Sequence, residues 1–215
     1  EDLEPARAAA AEAVRSFPDI ADLHHALGWT LLEQGAFEDA VVPLEEACFL
    51  DPEFADAWHD LAVARELSGD PAGMRSAFEK VYALDIDQAA ERRFADEAVS
   101  RMAERAMESL PEPVQAEIKD LPIFLQDYPD PWILEDAPWD PRLLGLFDGP
   151  TWADLRGGTE GGVRSSPHIY LFTANLERAC PDARTMAEQI RITLHHEVGH
   201  FLGLDEHDLH ERGLG

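Results

Sequence analysis

A chain of 215 residues with 45% apolar content is long enough for one large or two small cores, and its composition is that of an ordinary soluble protein. Its net charge of −27 is spread over both halves: five basic against twenty acidic residues up to Ala90, then twelve against twenty-four. Such a surface repels a phosphate backbone, which excludes nucleic acid as a partner; a solvated acidic surface is its plainest meaning. No apolar run approaches the roughly eighteen residues of a membrane span. Cys48 and Cys180 lack C-x-x-C spacing, so they read as buried thiols without a disulfide. The expectation is a cytoplasmic protein, although a chain opening on Glu1-Asp2 rather than Met makes the lack of a leader segment weigh little.

The first half repeats at thirty-four residues: Leu27 aligns with Leu61, Gly35 with Gly69, Leu44 with Phe78, Leu50 with Leu84 and Asp51 with Asp85. Residues 21–54 carry Leu27-Gly28, a turn glycine at Gly35, then Phe37, Ala40, Leu44, Ala47 and Pro52. This unit resembles the tetratricopeptide repeat. Residues 55–88 keep Trp58, Leu61, Ala62, Gly69 and Phe78 but have Ile86 in place of the closing proline, and residues 6–20 look like the second helix of a truncated repeat. Small residues at Gly28, Ala40, Ala47 and Ala62 let helices approach closely, so the first half reads as an α-solenoid over about 1–90. The resemblance implies a peptide-binding groove lined by Asp22, His25, Trp29, Leu32 and Glu33, then Asp56, His59, Val63, Glu66 and Leu67. With so few repeats, a following helix filling that groove is the equal alternative.

Beyond the repeats, Arg92–Leu110 reads as an amphipathic helix, with Phe94, Ala98, Met102, Ala106 and Leu110 at four-residue steps and Pro111 and Pro113 closing it. A short helical stretch at Val114–Lys119 precedes a strand at Leu121–Gln126. Prolines and glycines then crowd a long loop from Asp127 to Pro167, whose run Gly157–Gly162 is expected to be mobile. Trp132, Trp139 and Trp152 read as anchors of that loop more than as substrate contacts, and Leu143–Phe147 as a short strand ending in Asp148-Gly149-Pro150. His168–Thr173 alternates as a strand does.

Chemistry enters near the far end, in Thr193-Leu-His-His-Glu-Val-Gly-His-Phe-Leu-Gly-Leu-Asp-Glu-His207. On a helix, His196 and His200 lie on one face and can present two imidazoles to one metal. Glu197, about 100° round, can reach a water on that metal and take its proton as general base. Met186, Ile190 and Leu194 give the preceding turns a buried stripe, and Gly203 can turn the chain back toward the metal. Fifteen residues follow His200, fewer than the roughly twenty that a ligand on a separate later helix needs, so the third ligand is expected to be local or to come from upstream. Counting as in H-E-x-x-H-x-x-G-x-x-H, the last position falls on Glu206. Asp205 is the alternative, although it also suits the N-cap of a short helix, and His207 follows; His195 points away and reads as lying behind the ligands or at the surface. The competing reading is a surface helix end that happens to be rich in His and Glu.

From about Arg93 onward the chain is similar to a small bacterial family of zinc metallopeptidases with a minimal zincin-like fold. Leu121-Pro-Ile-Phe-Leu125, Leu143-Leu-Gly-Leu-Phe-Asp-Gly149 and His168-Ile-Tyr-Leu-Phe172 leading into the His196 helix carry the likeness. In that family the position of Glu206 usually holds Asp or a small hydroxyl residue, and the longer Glu departs from it. The resemblance implies zinc and a peptidase-like site, with His168–Thr173 as an edge strand pairing with extended substrate. His168 and Tyr170 are weighed as oxyanion stabilisers, below packing.

The whole reads as mainly α: a tetratricopeptide-repeat solenoid over 1–90 and an α+β zincin-like domain over 91–215, with a short sheet and an HExxH helix. The expected activity is zinc-dependent hydrolysis of peptide bonds by a water activated between the metal and Glu197, the repeats recruiting a protein partner or substrate. Two alternatives are a binding scaffold whose metal site is structural or vestigial, and an adaptor without metal.

Overall fold

The structure, a computed structural model, describes residues 3–136, 140–157, 166–205 and 207–208. By compactness the chain divides into two units, Glu1–Ala89 with Leu134–Pro141, and Ala90–Ile133 with Arg142–Gly215.

The first unit is helical: α1 (Glu4–Ser16), α2 (Ala21–Glu33), α3 (Phe37–Leu50), α4 (Ala55–Leu67) and α5 (Pro71–Asp87). The starts of α2 and α4, 21 and 55, are 34 residues apart, as are those of α3 and α5, 37 and 71. Each helix packs on its chain neighbour, and α2 also meets α4. Small side chains permit this: Ala40, Ala47, Ala57, Ala62, Ala64 and Ala77 are fully buried, and a Cβ built on Gly28 would lie 2.4 Å from Leu44 Cγ. Gly35 and Gly69 close α2 and α4 with φ of 74° and 84°, a conformation that a side chain disfavours.

The second unit holds α6 (Asp96–Glu108), α7 (Glu112–Ile118), β1 (Ile123–Gln126), β2 (Gly145–Asp148), α9 (Trp152–Gly157), β3 (His168–Phe172), α10 (Thr173–Ala179) and α11 (Ala183–Phe201). A further short helix, α8 (Pro131–Asp136), lies in the stretch expected to be loop. The expected helix from Arg92 starts four residues later, at Asp96, for a visible reason. Arg93 and Phe94 give their amides to the buried Glu177 carboxylate of α10 rather than to a helix, and Arg92 Nε donates to the same group at 2.8 Å. The Arg92 and backbone hydrogen bonds outweigh burial, which alone would raise a carboxylate, and hold Glu177 below its usual range.

The sheet order is β1-β3-β2, with β1 parallel and β2 antiparallel to β3. β3 is therefore the central strand. The expectation that His168–Thr173 forms a substrate-pairing edge is corrected: both of its edges are taken, and β2 is an outer strand. Ile169 and Leu171 of β3 join Met186, Ile190, Leu194, Val198 and Phe201 of α11 and Val99, Ala103 and Ala106 of α6 in one core. Trp152 anchors α9 as expected, donating to Glu117 Oε2 at 2.5 Å with Arg156 over its ring at 4.1 Å. Trp132 is half-exposed, while Trp139 and most of the Gly157–Gly162 run lie outside the described residues.

Both cysteines are free thiols, and burial pushes Cys48 up to about 12 and Cys180 upward as well, which disfavours the thiolate at both. Among the described residues, no helix is long and apolar enough to cross a membrane.

Candidate metal centre

α11 starts at a capping box. Asp182 accepts the amides of Arg184 and Thr185, each at 2.9 Å, while the Asp182 amide donates to Thr185 Oγ1 at 3.2 Å. Its apolar stripe seats the helix on the sheet and on α6. The residues between stripe positions then point elsewhere, and two of them are His196 and His200, both half-buried.

Their rings stand 4.7 Å apart at 83°, with Nε2 facing Nε2 at 3.0 Å. The far side of His200 is fixed by the helix end. Gly203, at φ 88°, folds the chain back so that the Gly203 amide donates to the His200 carbonyl at 2.9 Å and the Leu204 amide to the Gly199 carbonyl at 3.0 Å. That turn brings the Leu204 carbonyl to 3.2 Å from His200 Nδ1, which donates to it. With Nδ1 carrying the hydrogen, the neutral ring has its lone pair on Nε2. This is the outer-nitrogen bond that metal-binding imidazoles make.

Two ring nitrogens 3.0 Å apart need a proton or a cation between them. Two Zn–N bonds of about 2.0–2.1 Å at a tetrahedral angle span about 3.3 Å, close to what is seen, so the pair fits a zinc ion. Glu197 is 7% exposed and turned toward β2, where the Phe147 amide donates to its Oε2 at 2.7 Å. A carboxylate buried this far needs such a donor. The general-base candidate is thus held by the outer strand and not by the imidazoles' own helix alone.

The other candidates separate. His195, read as lying behind the ligands or at the surface, is neither. It is buried against α6, donating from Nε2 to the Ala106 carbonyl at 3.0 Å, with Ser109 Oγ 3.1 Å from the same nitrogen. His168 and Tyr170 share their aromatic contacts with Phe124, on the sheet face opposite Ile169 and Leu171, so packing and not oxyanion stabilisation is what their surroundings support. Asp205 is exposed, and its Oδ1 accepts the Asp208 amide at 2.9 Å, the N-cap role that its position allowed. His207 is exposed, and Glu206 lies outside the described residues. Among the described residues, no group of three His, Cys, Asp or Glu side chains is gathered for a metal.

In the first unit, Asp22, Trp29, Glu33 and Glu66 are exposed, while His25 and His59 are half-buried. His25 Nε2 donates to Asp60 Oδ2 at 2.8 Å, and His59 has Nδ1 3.6 Å from Asp60 Oδ1 and Nε2 3.3 Å from Asp140 Oδ1. Burial raises Asp60, but the hydrogen bonds of the two histidines outweigh it and bring it down to about 2. Sequence reasoning missed Asp60, Glu177, Gly145 and Phe147. The only local signal was the pair His59-Asp60 itself, because the other partners are remote along the chain.

The family model of zincin-like metallopeptidases matches residues 118–215, the stretch that carries all three strands and α11. No curated protein matches the chain.

Proposed function

We propose that residues 118–215 form a zinc-dependent peptidase in which His196 and His200 hold the metal and Glu197 is the general base. The facing imidazoles carry this reading: two Nε2 atoms 3.0 Å apart, with the adjacent buried carboxylate held off by a backbone amide. The family match to the same residues supports it. A zinc ion bound there supplies Lewis acidity toward a water and a carbonyl oxygen. The protein's own part is acid–base: Glu197, oriented by the Phe147 amide, takes the proton of the attacking water and delivers it to the leaving amine. Because β2 is an outer strand beside Glu197, a peptide extended alongside it would have its carbonyl within reach of that carboxylate. Glu206 is the third ligand in this proposal, since the neighbouring Asp205 carboxylate already caps the turn to Asp208.

The repeat-like helices of residues 1–90 would be tetratricopeptide repeats that recruit or orient a protein in the cytoplasm. Trp29, 50% exposed and flanked by exposed Asp22 and Glu33, supports a contact surface there, with Glu66 on α4 and the half-buried His25 and His59 completing the groove.

Glu197→Gln tests the catalytic half. About one equivalent of zinc should stay bound, while hydrolysis of an unstructured protein substrate falls by on the order of 10²–10⁴-fold. Unchanged turnover would remove Glu197 from the mechanism.

A further inference from the structure

Gly145 is the first residue of β2, a buried strand position that a glycine leaves without a side chain to pack. Its reason lies on α11. A Cβ at 145 would sit 2.5 Å from Thr193 Cγ2, 3.1 Å from the Tyr170 carbonyl oxygen and 3.5 Å from Glu197 Cγ. Thr193 is buried one helical turn before Glu197 and so belongs to the same face. Two residues further along the strand, Phe147 reaches Glu197 Oε2 with its amide at 2.7 Å. That amide has no partner role in the sheet. The Phe172 amide donates to the Leu144 carbonyl, so the antiparallel ladder engages alternate residues of β2 and turns the amides of 145 and 147 outward.

We infer that Gly145 and Thr193 are a positioning pair for Glu197. The missing Cβ lets β2 settle onto α11 at the height where the Phe147 amide meets the carboxylate, and that amide sets the carboxylate's direction. Restoring an ordinary carbon–carbon separation of about 3.5 Å moves the strand roughly 1 Å. A displacement of that size takes the 2.7 Å hydrogen bond past its useful range. The steric half stands on contacts alone; the catalytic half rests on Glu197 being the general base.

The full chain is compared as wild type, Gly145→Ala, the double variant Gly145→Ala/Thr193→Ser and Glu197→Ala. Hydrogen–deuterium exchange of the Phe147 amide is followed by NMR, alongside zinc content and the kcat and KM of hydrolysis of an unstructured protein. In Gly145→Ala the Phe147 amide should exchange on the order of tenfold faster or more. Zinc should be retained, and kcat should fall on the order of tenfold to a hundredfold at unchanged KM. Thr193→Ser removes the crowding methyl, so the double variant should recover most of the protection and of kcat. Glu197→Ala, which crowds nothing, should also expose the amide, and it keeps the test alive if Gly145→Ala alone does not fold. A Phe147 amide that stays protected in Gly145→Ala or in Glu197→Ala overturns the pairing. Faster exchange with unchanged kcat overturns its catalytic half. An inactive wild type whose amide still responds removes the peptidase proposal and leaves the positioning pair standing.

Discussion

Each unit gathers two histidines beside a carboxylate, and the two gatherings behave as opposites. In the helical unit, Asp60 lies between His25 and His59, and Asp140 lies beyond His59, so each imidazole faces a carboxylate at 2.8–3.6 Å. Every ring meets a carboxylate, and the His25–Asp60 hydrogen bond makes the arrangement a clamp between α2 and α4. On α11 the imidazoles face each other and Glu197 is turned aside to a backbone amide. The same residue types therefore produce a structural link in one place and, in the proposed function, a cation's seat in the other. What differs is only which atom each nitrogen faces.

The largest expected effect would break that contrast if it failed. His196→Ala or His200→Ala should reduce zinc from about one equivalent to background in protein purified without a His tag, whereas His25→Ala and His59→Ala should keep the full equivalent. The reverse pattern would exchange the two roles.

An intermediate effect concerns the clamp. Asp60 is held at about 2, below the 3.8 of the free side chain. A depressed carboxylate stabilises the fold above its unfolded pKa and loses that contribution as pH falls through the folded one. Asp60→Asn should therefore lower the unfolding free energy by about 2 kcal/mol at pH 6. In urea titrations the gap from wild type should be full above about pH 4 and close as the pH approaches 2. A gap independent of pH would mean that charge is not what the clamp uses.

The smallest effect separates neighbours in the last turn. Asp205→Ala should cost about 1 kcal/mol of local stability through the lost cap and leave zinc in place, whereas Glu206→Ala should release it. Metal analysis of both variants decides; zinc lost only from Asp205→Ala transfers the ligand role.

Much of the candidate site was legible because it is local. H-E-x-x-H, the Met186–Ile190–Leu194 stripe and Gly203 all act within one helix and its end, where spacing in sequence is spacing in space. The thirty-four-residue period likewise appears as equal steps between helix starts. What escaped is pairing across distance. Strand order depends on which edges meet, and nothing within His168–Phe172 tells a central strand from an outer one. Glu177 meets Arg92 across 85 residues, and Phe147 meets Glu197 across 50. The short helices α8, α9 and α10 span six or seven residues, less than two turns, too few for a periodic signal to rise above the surrounding prolines and glycines.

The turn at Gly203 joins two things usually counted apart. The bend that stops α11 also delivers the Leu204 oxygen to the back of His200, so fraying of the helix end and loosening of the imidazole are one motion. By reciprocity, whatever free energy a cation bound at the proposed site would add also tightens the last helical turn, and the turn at Gly203 would report occupancy at a distance from the ion itself.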